Sequence, residues 1–368
     1  NSITLTPSES IILGTSDGGV NTLVQLTSEG VLADPFNPRP NNNVYTTNIQ
    51  SDSTTIIGGA FTTIANTNRS YITKITSGGV VDPTFSVSAS AAVMTTATQT
   101  DNKIVIGGAF TLVSGSARGR IARVNSNGTL DTTFNPSASA GDVWVVKLQN
   151  DGKILMGGKF TAVSGSARNY VARVNSDGTL DTTFNPNPNS VVRNIIPLTN
   201  GQILITGDFT TVSGSTSRGY ALLNNNGTLD TTTLNQTLAN NVDGAVFTAI
   251  EEKGTLLLAG AFTTINGVSQ SNFVRLNLTD KPEVDKFTAF KVGNITNTTA
   301  SAATILTGSD ASLTYIVGNF TFASQSVTAP YMASFDAREF VNIGGGVTAV
   351  GNAVPGTVSS VVPVSTPS

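Results

Sequence analysis

The chain has 368 residues, a formal net charge of −3, only 12% charged side chains, and neither histidine nor cysteine. No basic face is implied, which argues against nucleic acid as a partner, and disulfides, thiolate chemistry, imidazole ligands and histidine-based triads are excluded. No run of about 18 apolar residues is present, so no membrane-spanning helix is expected, and a first residue of Asn1 instead of methionine is what a processed product or a fragment shows.

The dominant signal along the chain is a repeat. Its first unit is degenerate: Leu13-Gly14 stands where later units carry a glycine pair, and Ser16 where they carry an aromatic. The motif then returns as IIGGAFTTI from Ile56, VIGGAFTLV from Val105, LMGGKFTAV from Leu155, LITGDFTTV from Leu204, LLAGAFTTI from Leu257 and YIVGNFTF from Tyr315. The aromatics fall at Phe61, Phe110, Phe160, Phe209, Phe262 and Phe320. A second marker closes each unit, at Phe36, Phe85, Phe134, Phe184, Leu234, Phe287 and Phe340. That makes seven units of about 50 residues, the period of a four-stranded propeller blade.

Within a unit the pattern is that of β-structure. VWVVKLQ (143–149) reads as an apolar strand, NDGK as a turn and ILMGGKF as a second strand. A polar loop, TAVSGSAR, precedes NYVARV, which alternates at period two, and NSDGTLDTTF turns into a short Thr-rich outer strand. No stretch offers a helical period. One blade cannot bury both faces alone, so neighbours are expected to stack and close a ring. Gly157 and Gly158 would allow close backbone approach where inner strands converge, with Phe160 filling the wider gap between blades. The expected fold is all-β: a seven-bladed β-propeller over 1–342, four antiparallel strands per blade, with 343–368 as a β extension ending in a Ser/Thr/Pro tail.

The string DGKILMGGKF…YVARVNSDGTLDTTFNP resembles the delta-sixty repeat family of bacterial and phage surface proteins. The resemblance covers about residues 40 to 290 clearly and the two ends weakly. It implies a β-propeller. The family has no common catalytic residues, so the resemblance implies no active site, and function has to be argued from the site itself.

Several constellations could carry function. NSDGTLDTTFNP (175–186) has the oxygen spacing of a calcium loop, with Asn175, Asp177 and Asp181 as ligands. The sister segments at 125–136 and 224–235 offer two Asn and one Asp each, and Asn-Gly or Asp-Gly is a strong hairpin-turn signal. The expectation is therefore a structural turn and no cofactor, with calcium as the alternative. Asp131, Asp181 and Asp230 would accept bonds from the turn backbone, and Arg123, Arg173, Arg275 and Lys74 would pair with the aspartate of their own unit. A second series, Arg69, Arg118, Arg168 and Arg218, follows each glycine-pair aromatic by eight or nine residues. It would either dock on a neighbouring blade's carbonyls or aspartate or form a cationic arc for acidic glycans.

Paired carboxylates suited to glycoside chemistry, a phosphate loop and a dinucleotide fingerprint are all missing from the sequence, so the chain is expected not to be an enzyme. Positions that vary while their surroundings repeat are freer to serve a partner. Aligned first strands put Tyr45, Met94, Trp144, Arg193 and Val246 at one such position, and Trp144 is the sole tryptophan. The first four are the expected ligand-binding residues, of types enriched at interface hot spots. The functional expectation is an extracellular or virion-surface module that binds a protein or glycan, as in attachment or adhesion. The alternative is a structural building block contacting neighbouring subunits or copies of itself. A calcium-stabilised propeller and a glycan-active enzyme rank below both.

Overall fold

β-Branched runs set the strands. In the computed structural model VWVVKL forms Val143–Leu148, ILMGG forms Ile154–Gly158 and VARV forms Val171–Val174, paired antiparallel in chain order. The structure describes residues 2–8, 10–14, 23–27, 32–33, 36–231, 242–252, 255–265, 268–269, 273–277, 304–307, 313–324, 327–336 and 340–341. The same three-stranded sheet recurs with first strands Val44–Ile49, Val93–Thr98, Val192–Pro197 and Val246–Glu252. The degenerate first unit still forms one, from Ser2–Leu5, Ile11–Gly14 and Leu23–Leu26. A four-stranded sheet is built from Thr304–Thr307, Leu313–Ser324, Val327–Asp336 and Phe340–Val341.

Two details differ from the sequence reading. In most units the fourth strand shrinks to a single bridge: Ile75 with Val81, Val124 with Leu130, Val174 with Leu180 and Leu223 with Leu229. One residue beyond the bridge of the fourth unit, Asp181 captures the amide of Thr183 at 3.1 Å and its hydroxyl at 2.6 Å. That side-chain turn diverts the backbone from the ladder. The expected polar loop is also a hairpin, Ala162–Val163 with Ser166–Ala167, and Ser164 and Gly165 at its tip have φ of +50° and +77°. Two successive positive φ values are the geometry of the tight turn that matches strand twist.

The chain divides into two compact units, Asn1–Arg69 with Thr73–Asp82 and Thr288–Ser368, and Ser70–Ile72 with Pro83–Phe287. In the first, Ser2–Leu5 lies beside both Val44–Ile49 and Thr304–Thr307. In the second, the first strands Val93–Thr98, Val143–Leu148, Val192–Pro197 and Val246–Glu252 pack side by side in chain order, as blades do. The second unit's core lies between the sheets. One cluster joins Ala97, Val105 and Ile121 to Val143, Met156 and Phe160 of the following sheet. Phe134 ends one sequence unit yet packs into this next cluster, and Phe184 does the same one sheet later. Burying each ring stabilises the stack by about 1.5–3 kcal/mol. Leu234, Phe287 and the segment 343–368 lie outside the described residues.

Candidate functional site

The NSDGTLDTTFNP turn uses its oxygens internally. Gly178 has φ +93°, and Asp177 Oδ1 accepts from the amide of Thr179 at 2.8 Å and its hydroxyl at 2.7 Å. Asn175 Nδ2 donates to the Thr179 hydroxyl at 2.9 Å. Asn127 and Asn226 make the same two bonds to Thr129 and Thr228. The turn thus needs an acceptor oxygen and not a charge, because asparagine and aspartate serve alike. Among the described residues, no three acidic, histidine or cysteine side chains gather as a metal cluster.

Asp181 belongs to a different constellation. Its Oδ2 accepts from Arg173 Nε at 2.9 Å and from Lys153 Nζ at 3.1 Å. Burial alone would raise the Asp181 carboxyl. The Thr183 hydroxyl, Lys153, Arg173 and the Thr183 amide outweigh it and hold the group well below the ordinary carboxylate range. Asp131 is the counterpart: burial is again overcome, by Thr133 and Arg123. Lys74 pairs with Asp82 at 3.2 Å, so the same-unit pairing holds in three units; the Arg275 side chain lies outside the described residues. A feature the sequence does not reveal is the far reach of these arginines. Arg123 Nη1 donates to the Ser176 carbonyl and Arg173 Nη1 to the Asn225 carbonyl, both at 2.5 Å and both in the next unit's turn. Each guanidinium also stacks on its own unit's marker, Phe134 at 4.5 Å or Phe184 at 4.6 Å.

The second arginine series holds backbone. Arg118 and Arg168 are buried, and Arg118 donates to the Ala117, Asp131 and Thr132 carbonyls. Arg168 donates to those of Ala167 and Thr182, and Arg69 to those of Asn68 and Asp82. These carbonyls belong to the arginine's own unit and not to a neighbouring blade. Arg218 is exposed and falls one residue out of register: the strand Tyr220–Leu223 matches Val171–Val174, so the buried Ser217 occupies the place of Arg168. Arg118 and Arg168 therefore spend their guanidinium groups on backbone and do not present them to solvent.

The variable position turns out to be a β-bulge. Val143 pairs with Gly158 and Val145 with Gly157, which leaves Trp144 as the extra residue. Tyr45, Met94 and Arg193 are extra in the same way. In the next sheet Val246 pairs with Gly260 and Thr248 with Ala259, so the bulge residue is Phe247. Val246 is instead the buried counterpart of Val143, a one-residue correction to the sequence alignment. The glycine and the bulge explain each other. A Cβ added to Gly158 would sit 2.2 Å from the Asp142 carbonyl oxygen, and that carbonyl accepts the Lys159 amide at 2.9 Å. The close approach that demands glycine also extrudes the neighbouring side chain. Gly158→Ala is expected to destabilise the protein by about 1–3 kcal/mol, read as a lowered urea midpoint; an unchanged midpoint would mean that the bulge relaxes freely.

Within the second unit these side chains interlock. Trp144, Arg193 and Phe247 are each half-buried. The Arg193 guanidinium carbon lies 5.5 Å from the Trp144 ring centre and 5.1 Å from that of Phe247. Asp208 fixes it in a fork, accepting from Nε at 2.6 Å and from Nη2 at 2.8 Å. Lys159 Nζ approaches the Trp144 ring at 5.0 Å. Lys159 and Asp208 both directly precede the aromatic of their motif, Phe160 and Phe209, and this repeated offset is the signal that could have drawn them into the site from sequence. The result is an aromatic–guanidinium–aromatic ledge across three successive sheets, held rigid by one carboxylate.

Five segments, residues 50–85, 99–134, 149–184, 198–232 and 254–280, match the family described as "Domain of unknown function (DUF5122) beta-propeller". No curated protein matches the chain. Among solved structures, the WD40 β-propeller domain of Doa1 is similar at 12% identity and a TM-score of 0.50, over 92% of this chain and 88% of that one. The computationally designed Ika8 protein is similar at 11% identity and 0.52, over 92% and 85%. A streptogramin B lyase is similar at 11% identity and 0.51, over 86% and 89%. At such identities the likeness shows the fold alone. The lyase overturns the expectation that this chain is not an enzyme. A shared fold hosts catalysis there, and carboxylates, lysine and tyrosine serve as acids and bases where histidine is missing, so composition and architecture do not exclude chemistry.

Proposed function

We propose that this β-propeller repeat protein is a binding module of an extracellular or virion surface, engaging a protein or glycan receptor through its row of bulge residues. The observation that carries the reading is the ledge of Trp144, Arg193 and Phe247: the framework repeats while the extruded residue changes, and the extruded residues interlock. Half-buried aromatic and arginine side chains on a rigid backbone are the composition of interface hot spots, because little side-chain freedom remains to be lost on binding. Met94 occupies the same bulge in another sheet of this unit and would extend the surface, and Tyr45 occupies it in the other unit. No cofactor enters this reading, since Asp177 and its asparagine counterparts make the same turn bonds. A count of seven blades over 1–342 and an appended segment at 343–368 belong to the same proposal and rest on the repeat spacing, and the delta-sixty assignment rests on the resemblance of the repeat motif.

Trp144→Ala is expected to weaken receptor binding by about 2 kcal/mol or more, roughly thirtyfold, while shifting the melting temperature by only a few degrees. A glycan and receptor array with both proteins, with light scattering on the same samples, checks it. Equal binding by the two proteins would end the proposal. An assembly that Trp144→Ala dissolves would assign the row to contacts between copies instead.

A further inference from the structure

We propose that the ledge is selective for acidic glycans, engaging a uronate residue by its carboxylate and its apolar ring face; this rests on the binding reading above. The charges around the ledge are unequal in kind. Arg120 and Asp142 pair with each other at 3.2 Å, and Arg193 and Asp208 pair at 2.6 Å. Lys159 is exposed and has no carboxylate partner among the described residues; its one contact of note is the Trp144 ring. One uncommitted ammonium therefore stands against the Trp144 ring, which Arg193 also approaches.

Three kinds of group thus flank the bulge residues Trp144 and Arg193, and together they specify the ligand. The ammonium asks for an anion, and the ring edges and faces ask for an apolar C–H surface. Asp142 and Asp208 each keep lone pairs beyond their arginine bonds and ask for hydroxyl donors. A uronate sugar carries all three: a carboxylate, a C–H face and several hydroxyls. A dense polyanion such as nucleic acid would meet a single free cation beside two carboxylates, on a chain of net charge −3. A neutral sugar would leave Lys159 unused.

Trp144 is the sole tryptophan, so its emission reports this ledge directly. The full chain is titrated with trigalacturonate, its methyl ester and neutral maltotriose, and a hyaluronan tetrasaccharide is run in parallel. The expected result is a saturable change in Trp144 emission with one or both uronate ligands. The methyl ester and the Lys159→Gln protein should each bind about tenfold more weakly or worse. Equal affinity for ester and acid, unchanged affinity in Lys159→Gln, or no uronate binding by emission or calorimetry would overturn the proposal. If a neutral glycan or a protein still bound in a Trp144-dependent way, only the acidic class would fall. If no ligand depended on Trp144, the binding reading would fall with it.

Discussion

An Asp181→Ala protein is expected to lose about 3–5 kcal/mol of stability at neutral pH. The substitution removes the shared acceptor of Arg173 and Lys153 and leaves the Arg173 side chain, 4% exposed, as a buried cation without its counter-charge. Its other bonds do not make up for this, because the Asn225 carbonyl and the Gln149 amide oxygen carry only partial charge. The pH dependence follows from the same contacts. A carboxyl held below its ordinary value in the folded state contributes stability that is fully present above about pH 4 and fades as the pH falls through the folded value. The parent protein should therefore weaken steeply in acid, and Asp181→Ala should lose part of that slope. Urea midpoints at pH 7 and pH 3 test both statements, with Asp177→Asn as the comparison. That change should be nearly silent, since Asn127 and Asn226 already fill its role. If Asp181→Ala proved as mild as Asp177→Asn, the buried ion cluster would be contributing nothing.

Phe160→Ala is expected to cost about 3–5 kcal/mol. The ring is fully buried among Phe134, Val143, Met156 and Val163, so its removal opens a cavity in the layer between two sheets. Strands on both sides line that layer and cannot collapse without disturbing the next interface. Leu112→Ala, at an exposed hairpin position, should stay within about 0.5 kcal/mol. Chemical denaturation of the two variants side by side measures the contrast; a Phe160→Ala midpoint close to that of Leu112→Ala would refute the packing account.

The parts of this architecture that recur at side-chain level were legible. Glycine pairs, motif aromatics and closing phenylalanines give the period, and apolar alternation gives the three main strands of each sheet. Pairing of Arg123 with Asp131 and of Arg173 with Asp181 was also readable, from a constant offset of eight residues. What escaped depends on the backbone ladder. A bulge adds one residue without changing hydrophobic alternation around it, so alignment by apolar positions slipped by one at Val246 and Phe247. The same kind of slip set Arg218 in the place of Ser217. The second glycine of each pair was the available clue, since a glycine kept inside a strand marks a close backbone approach. The reach of Arg123 and Arg173 into the following unit left no trace at all, because their acceptors there are main-chain carbonyls and any residue supplies one.

That reach has a direction. Arg123 looks forward to the turn at Ser176, and Arg173 forward to the turn at Asn225. A ribosome releases the chain in the same order, so each guanidinium emerges together with its phenylalanine and its aspartate but ahead of the carbonyl that completes it. The turns at Ser176 and Asn225 thus each complete the repeat before them. The two ends of a broken array are correspondingly unequal. Deleting repeats from the front strips an acceptor carbonyl of its arginine, and water readily replaces that donor. Deleting them from the back leaves a nearly buried guanidinium short of an acceptor. Nested truncations from the C-terminal side should therefore be the more damaging set, repeat for repeat.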